Sequence, residues 1–466
     1  MHRFRTISGY NYRSRDTARL AFSILVLCAL NGCGLNPSTG TSSPVSVQIS
    51  AGKVSGLVRG GQQPVANVAL QLYAIGTTGY GSAATPLLPA NSVMTTASGN
   101  FTFPTFTCPT ANSLVYLVGT GGQPIAAANG NAAVTNNNLA LMVGLGACSM
   151  VANQFINMNE LTTVATVWAL SPFMTGIANI GTSPSNRIGI RNSFAAINSI
   201  VNTSTGALLA SGSGLPSSET LPTAEINTLA DILAYCVNSA GGSASDTTDG
   251  HSNGTNCGKL FYLAGGSTTS DTITAAMQIA QNPTRNIALL NNLRDTSPPF
   301  QSTLDMNSPP SAWTIMINYT GGGLNAPSAI ATDSEGNVWL TNAGNNSVSK
   351  FQSNGTPLSS STGFTAGGFS VPSAISIDTT GNVWVTNKGN NTITVLDPTG
   401  SNATVYQSNG LNLPNSIAID AAGDAWVTNS GDSTVSVFTN TGSTVSGSPF
   451  SGGGISSPTS IAINPK

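Results

Sequence analysis

The chain is poor in charge and in histidine. Only 7% of its 466 residues are Asp, Glu, Lys or Arg, against roughly 25% in an average soluble domain. The two histidines are His2 and His251, and no P-loop, H-E-x-x-H motif or G-x-S-x-G elbow with a paired histidine is present. These absences argue against an enzyme. The abundant Ser, Thr, Asn and Gly favour an extracytoplasmic, β-rich protein instead.

The few basic residues are concentrated at the N-terminus. Five of the fifteen Lys and Arg lie in the first 19 positions, and the rest of the chain has ten basic and sixteen acidic residues. No basic cluster remains that could follow a phosphate backbone, so we do not expect nucleic acid as a partner.

The N-terminus has the features of an export signal. Residues 1–19 are basic, and the eleven apolar residues Leu20–Leu30 are too few to span a bilayer, which needs about 20. The following Leu-Asn-Gly-Cys ending at Cys33 resembles the bacterial lipobox. This resemblance implies a lipoprotein signal peptide over 1–32, lipid on Cys33 as the membrane contact, and an envelope location on the periplasmic side or the cell surface. An ordinary cleaved signal peptide is the alternative. Residues 33–51 are predicted to be a flexible tether.

Four cysteines remain once the leader and Cys33 are set aside: Cys108, Cys148, Cys236 and Cys257. An even number in an oxidising compartment predicts two disulfides, with three pairings open. We favour Cys108–Cys148 and Cys236–Cys257, because each pair lies within one predicted domain. Metal binding is the competing interpretation. It is disfavoured because no C-x-x-C spacing exists and histidine is scarce.

We predict a multidomain, mainly β protein, beginning with a β-sandwich over residues 52–149. Alternating apolar residues at 54–58 and 68–72 indicate strands, and a turn followed by an alternating strand spans 95–103. These pieces resemble the carboxypeptidase regulatory-like or Cna-B-type module. The resemblance implies a spacer or adhesive role without catalysis.

Residues 150–310 are predicted to form a small helical domain closed by the second disulfide. Helices are indicated at Glu160–Leu170, at Ala224–Val237 with Thr223 as the cap, and at Thr272–Ala280 with Asp271 as the cap.

The loop at 243–256 carries Asp246, Asp249 and His251, an arrangement that could suit Ca²⁺. It lacks the order of an EF-hand loop, so a solvated loop is the favoured interpretation.

Residues 311–466 contain internal repeats. Similar segments begin at Pro327, Pro372 and Pro414, and a fourth begins at Pro458. Periods of roughly 40–50 residues with several short strands each are typical of propeller blades. The segments resemble the NHL repeat and the related virginiamycin B lyase and gluconolactonase-like propellers. The resemblance implies an incomplete propeller with about three visible blades.

Two arrangements of a further blade are open. Residues 313–323 and 459–464 could contribute to a fourth blade, or further blades once followed Lys466. We favour the second arrangement, because an open blade edge invites aggregation.

Three residue types recur once per repeat: Asp333, Asp378 and Asp420; Trp339, Trp384 and Trp426; and Asn342, Asn387 and Asn429. We interpret them as structural. The aspartates should bond backbone amides of their own turns, the tryptophans should pack between blades, and the asparagines should favour turns. The alternatives are a ring of metal ligands and a set of sugar-binding platforms.

The sequence therefore predicts no catalytic residue, no metal and no cofactor. Our functional hypothesis is a lipid-tethered envelope protein that presents a propeller face to a protein or glycan. The alternative is an enzyme of the streptogramin-lyase or lactonase type that uses a divalent metal. The resemblance to the lyases implies a histidine base, whereas residues 313–466 contain no histidine and a single glutamate, Glu335. A purely structural envelope protein is a third possibility.

Overall fold

A computed structural model describes residues 46–124, 133–210, 219–295, 297–352, 355–407 and 410–463. Cys33, the signal peptide and most of the tether lie outside the described residues. Within these ranges the protein is mainly β. No helix there is both long and apolar enough to cross a membrane.

The first part of the chain is a sandwich of two small sheets. Its strands are β1 Val47–Ile49, β2 Ser55–Gly60, β3 Gln63–Pro64, β4 Ala69–Ala74, β5 Thr85–Pro86, β6 Val93–Met94, β7 Asn100–Thr102, β8 Phe106–Cys108, β9 Leu114–Thr120, β10 Ala140–Ala147 and β11 Phe155–Met158. One sheet has the order β11-β2-β3, with β7 also on β2; the other has the order β10-β9-β4-β5, with β6 on β4. The strands β1 and β8 pair with each other in a separate two-stranded sheet. Burial alternates along β2 and β4, so each has one face in the core.

The second sheet is covered on both faces. Leu117 and Leu141 belong to the apolar core between the two sheets. Tyr116, Val118 and Met142 point the other way and pack among the helices. The ranges predicted as separate sandwich and helical domains therefore share this sheet, and residue 149 divides two layers of one packed unit.

Among the described residues the helical layer contains six α-helices, two short hairpins and one pair of short strands that are distant in sequence. The helices are α1 Glu160–Leu170, α2 Arg187–Ile197, α3 Thr223–Val237, α4 Asn256–Ala264, α5 Thr272–Gln281 and α6 Ile287–Asn291. The short strands are β12 Met174–Gly176, β13 Asn179–Ile180, β14 Val201–Asn202, β15 Ala207–Leu208, β16 Glu219–Thr220 and β17 Asn318–Tyr319. Every residue of α1 is buried, because this helix lies between β10 and the other helices.

Side-chain caps begin two of the predicted helices. Asn159 accepts a hydrogen bond from the N–H of Thr162, and Asp271 accepts one from the N–H of Thr274, as predicted for the latter. The prediction for Thr223 was wrong: it is the first helical residue, and its hydroxyl bonds the carbonyl of Leu221 instead of capping α3.

Trp313 corrects a second expectation, that residues 313–323 resemble part of a blade. Its side chain is fully buried in the helical layer, and its carbonyl accepts a hydrogen bond from Trp168 Nε1 at 3.0 Å. Further along, β17 pairs with β16. An apolar aromatic residue preceding the repeats therefore completes the helical core.

Both disulfides favoured from the sequence are present. Cys108–Cys148 joins β8 to the turn after β10 and closes 40 residues. Cys236–Cys257 joins α3 to α4 and closes 21 residues. All four side chains are fully buried.

The second part of the chain consists of three similar antiparallel sheets. Repeat sheet 1 contains β18 Pro327–Thr332, β19 Val338–Asn342 and β20 Ser347–Phe351; repeat sheet 2 contains β21 Pro372–Ile377, β22 Val383–Asn387, β23 Thr392–Leu396 and β24 Ala403–Gln407; repeat sheet 3 contains β25 Pro414–Ile419, β26 Ala425–Asn429 and β27 Thr434–Phe438. The strands pair in sequence order. In sheets 1 and 3 two isolated bridges each stand where β24 lies in sheet 2.

Successive repeat sheets pack face to face. The equivalent isoleucines Ile375 and Ile417 are 8% and 6% exposed, because each lies against the preceding sheet. Ile330 of sheet 1 is 60% exposed. The segment that repeats this strand for a fourth time lies against sheet 3, where Ile461 N–H donates to Ser416 Oγ.

We expect the double variant Cys108→Ala/Cys148→Ala to lose about 4 kcal/mol of unfolding free energy and Cys236→Ala/Cys257→Ala about 3 kcal/mol. The longer loop restricts the unfolded chain more. Urea unfolding under non-reducing conditions measures both losses, and the fully reduced wild type serves as the reference. Unchanged midpoints in both variants would contradict the prediction.

Candidate functional site

The repeat aspartates are directed at their own turns and tryptophans. In sheet 2, Asp378 Oδ1 accepts hydrogen bonds from the N–H groups of Thr380 and Asn382, both at 2.9 Å. Its Oδ2 accepts one from Trp384 Nε1 at 3.1 Å. The carboxylate therefore fixes the turn and satisfies the indole together.

The same arrangement occurs in the other two repeats. Asp333 accepts from Trp339 Nε1 at 3.1 Å, and Asp420 accepts from Trp426 Nε1 at 2.9 Å. Each also accepts from amides two and four residues later. The sequence analysis predicted the hydrogen bonds from backbone amides to these aspartates, but not the one from the indole N–H. In the part of the chain that the structure describes, no three His, Cys, Asp or Glu side chains are grouped to hold a metal.

These hydrogen bonds govern the ionisation of the aspartates. Burial raises the pKa of Asp378, but hydrogen bonds from Thr380, Trp384 and Asn382 outweigh it, so the net pKa is below the ordinary 3.8. The pKa values of Asp333 and Asp420 are lowered in the same way. All three carboxyls are thus anionic near neutral pH and act as acceptors.

Two of the three repeat tryptophans pack between successive sheets, while Trp426 of sheet 3 is half-buried. Trp339 contacts a cluster that includes Ile375 and Val383 of sheet 2. Trp384 packs in the same way with Ile417 and Val427 of sheet 3. With their indoles buried, these two residues cannot serve as sugar platforms.

A second aromatic ring accompanies each tryptophan and was missed in the sequence. Phe364, Tyr406 and Phe450 lie on the outermost part of sheets 1, 2 and 3. Their ring centroids are 5.7, 5.9 and 6.5 Å from those of the tryptophans of the same sheets. Loop lengths differ between the repeats, so these positions do not align at a constant spacing. One aromatic per repeat after the third strand was the available signal.

The repeat asparagines end the second strand and are fully buried. Asn387 Nδ2 donates to the hydroxyls of Thr392 and Thr394 on the neighbouring strand, at 3.0 and 2.9 Å. Asn342 and Asn429 make equivalent pairs of bonds. The interpretation as turn residues is therefore corrected: these amides join two strands inside the sheet, where an unpaired polar group would be costly.

Lys350 is specific to sheet 1, since the equivalent residues on β23 and β27 are valines. Its Nζ donates to the carbonyl of Pro398 at 2.8 Å, so it links sheet 1 to sheet 2. It also lies 4.6 Å from the centroid of the Trp339 ring and 3.8 Å from Asp333 Oδ2. A lone charge in an apolar strand was the sequence signal for this contact.

One end of the repeat sheets forms a continuous surface, which we call the strap face. It consists of the segments leading into each first strand (322–326, 367–371 and 410–413) and the turns between second and third strands (343–346, 388–391 and 430–433). Backbone bonds join the two sets, such as Lys388 N–H to the carbonyl of Val371 at 3.1 Å. Lys388 and Asp432 are the only charged residues in these ranges.

Side chains on the turns also link neighbouring sheets across the strap face. Asn346 Oδ1 accepts from the N–H of Val371, and Asn391 Oδ1 accepts from the N–H of Leu413, both at 2.8 Å. The straps are therefore held by bonds to their backbone, which leaves the side chains of Val371 and Leu413 uncommitted.

The last strap residue before each proline has a left-handed backbone. Its φ is 46° at Ala326, 44° at Val371, 47° at Leu413 and 40° at Ser457. Non-glycine residues rarely adopt this conformation, and for a β-branched valine it is strained. As a result Val371 and Leu413 extend into solvent, with 48% and 42% of their surface exposed.

The disulfide-closed loop that resembled a Ca²⁺ loop uses its carboxylates internally. Asp249 Oδ1 accepts from the N–H groups of His251 and Ser252, and Asp246 Oδ2 accepts from the N–H of Ser243 and the hydroxyl of Thr255. These bonds support the interpretation as a self-bonded loop.

No protein-family model matches the chain, and no curated protein does. Among solved structures, a streptogramin B lyase is 22% identical over 27% of this chain and 40% of its own, with a TM-score of 0.22. A catalytically inactive virginiamycin B lyase from Staphylococcus aureus with quinupristin is 22% identical over 28% and 42%, with a TM-score of 0.25. Hydrazine synthase from Kuenenia stuttgartiensis is 19% identical over 27% and 36%, with a TM-score of 0.22. The chain spans about two fifths of the length of these proteins.

Replacing Asp378 by alanine should lower the unfolding free energy of the repeat sheets by about 2–3 kcal/mol, because a buried indole N–H would lose its acceptor. Urea unfolding followed by tryptophan fluorescence measures the loss. The wild-type contribution should also vanish as the pH falls below 3.8, since the folded pKa is lowered.

Asp397 provides the matched control. It accepts from the N–H groups of Thr399 and Ser401 in a similar turn and is half-buried like Asp378, but it has no indole among its bonded partners. Asp397→Ala should cost less than about 1 kcal/mol. Equal losses in the two variants would mean that the turn bonds, rather than the tryptophan, make the aspartate important.

Proposed function

We propose that this is an exported, lipid-anchored envelope protein whose repeat sheets form an NHL-like propeller that binds a protein or glycan through the strap face. The observation that carries the proposal is the strap face itself. Its backbone is fixed by hydrogen bonds between neighbouring sheets, while Val371 and Leu413 are presented to solvent in strained conformations. Rigid frames that expose variable loops are suited to recognition.

Two buried disulfides support export, because such bonds persist in oxidising compartments. The lipobox resemblance at Cys33 supports the anchor. In this proposal the carboxypeptidase regulatory-like module acts as a spacer between the membrane and the repeat sheets.

The low charge of the strap face restricts the chemical classes of ligand that it can attract. With one lysine and one aspartate in its straps and turns, the face has no charge pattern to attract nucleic acid or a strongly acidic partner. Exposed aliphatic side chains beside Asn and Ser groups suit an uncharged glycan or a polar protein surface.

An enzyme of the lyase or lactonase type is the competing proposal. It would need a base, and residues 313–466 contain no histidine. The repeat aspartates are engaged by amides and indoles, and Glu335 accepts from Asn337 Nδ2 at 3.1 Å. Turnover of a streptogramin or a lactone by the purified protein with a divalent metal would favour the enzyme and count against a pure binder.

The strap face is tested by photo-crosslinking in intact envelopes. A photoreactive residue at Val371 should give discrete adducts. The same residue at Val405, which is 39% exposed on the outer strand β24, should give none. Val371→Asn and Leu413→Asn should abolish the adducts formed from a probe at Ser457, because asparagine tolerates the left-handed backbone but removes the aliphatic contact. Identical adducts from positions 371 and 405, or none from either, would contradict the proposal.

The anchor is tested by the intact mass of the mature protein from the membrane fraction. We expect a polypeptide that starts at Cys33, carries acyl chains and gains four hydrogens when both disulfides are reduced. Cys33→Ser should shift the protein to the soluble fraction, since one or more acyl chains supply the membrane affinity. An unacylated wild-type mass would remove the anchor from the proposal and leave the strap face untouched.

A further inference from the structure

Glu160 places a carboxyl group at the boundary between the sandwich and the helical layer. It is the first residue of α1 and is fully buried. Both of its carboxyl oxygens accept from the N–H of Gly61, with N···O distances of 2.9 Å, so this donor is shared between two oxygens. Gly61 follows β2 in the turn to β3 and has a left-handed φ of 60°, so the contact joins a sandwich hairpin to a helix start. A fully buried carboxylate would need more donors than this.

A second buried carboxyl lies on α3, the helix that packs against α1. Asp231 is 1% exposed, and its Oδ1 accepts from the N–H of Phe300 at 3.0 Å. Its Oδ2 has no hydrogen-bond partner among the described residues. Arg294 is the nearby cation, but its guanidinium donates to the hydroxyl of Thr228 and the carbonyl of Leu304. The pair therefore occupies a site with too few donors for two negative charges.

The two carboxyls accordingly hold protons at unusually high pH. Burial raises the pKa of Glu160 to about 8; backbone amides, including that of Gly61, lower it, and the charge of Asp231 raises it. Burial raises the pKa of Asp231 to about 7; the Phe300 amide and Arg294 lower it, and Asp295 raises it. These are the charged groups that act on the pair.

We propose that Glu160 and Asp231 form an acid-stabilised latch that holds the β2–β3 hairpin against the helical layer. With both groups protonated the contact is closed. As the pH rises, ionisation places two like charges in the buried site, and separating the hairpin from α1 relieves them by admitting water. The latch is independent of the strap face and of the lipid anchor.

The closed state loses stability as the pH rises, because the pKa values of both carboxyls are raised in the folded protein. A carboxyl whose pKa is raised in the folded state stabilises that state fully below its unfolded value of 4.5, and the contribution is lost as the pH approaches 8. Over this interval the opened hairpin binds one proton fewer than the closed one. Its population should therefore rise about tenfold per pH unit from Glu160 alone, and more steeply where Asp231 also titrates.

Hydrogen exchange of the mature chain, measured from pH 5.5 to 8.5 and corrected for intrinsic exchange, reads the latch at the Gly61 amide. Protection of the peptide containing Gly61 should fall by tenfold or more per pH unit up to about pH 8 and level off above it, while a peptide from β22 should keep constant protection. A local readout is required because burial also raises the pKa of Glu225 on α3 to about 7, which adds to any global pH dependence.

Glu160→Gln is the main variant, because the amide keeps an acceptor for Gly61 and cannot ionise. Its protection at Gly61 should lose the fall that Glu160 contributes and keep only the pH dependence due to Asp231. Asp231→Asn should reduce the wild-type slope to that of Glu160 alone. Glu335→Gln, an exposed acid on a repeat turn, should behave as the wild type. A flat wild-type profile would overturn the proposal, as would a wild-type slope in Glu160→Gln. If Glu160→Gln does not fold, an unreduced slope in Asp231→Asn would overturn it.

Discussion

The indole of each repeat tryptophan combines one polar atom with a large apolar surface. The aspartate six residues earlier bonds the polar atom, and this leaves the apolar surface free to be buried between successive sheets. The same carboxylate fixes the turn that sets the strand register. Packing of the sheets and closure of the turns therefore both depend on one charge-assisted hydrogen bond per repeat.

Neutral side chains provide most of the remaining polar contacts. The hydroxyls of Ser328 and Ser373 donate to the carbonyls of Pro372 and Pro414 on the following sheets. Buried asparagines join strands within each sheet. A chain with 7% charged residues can be built in this way because short neutral side chains bond backbone groups at a small desolvation cost. Where carboxyls are buried without enough donors, as at Glu160, the structure becomes sensitive to pH.

The sequence patterns predicted those features of the fold that depend on residues close together in the chain. Repeat boundaries, aspartate turns and the cap at Asp271 were predicted correctly because each depends on spacing within a short segment. The disulfide pairs were favoured for a different reason, that each lies within one predicted domain. The sheet shared by the sandwich and the helices was not predicted, although the unbroken apolar residues of β9 and β10 are typical of strands covered on both faces. Trp313 was misplaced because a match to the repeats in composition says nothing about which core a side chain enters.

The strap residue before each proline differs in every repeat: alanine, valine, leucine and serine occupy it in turn. Its place in the fold is set by bonds to its own amide and carbonyl, so side-chain identity there is separated from folding. Such a column of independent positions on a constant frame is what an antibody-like library requires. Substitutions at these positions would change the side chains that the proposed binding surface exposes and would leave its backbone frame in place. Natural variation can act on them in the same way.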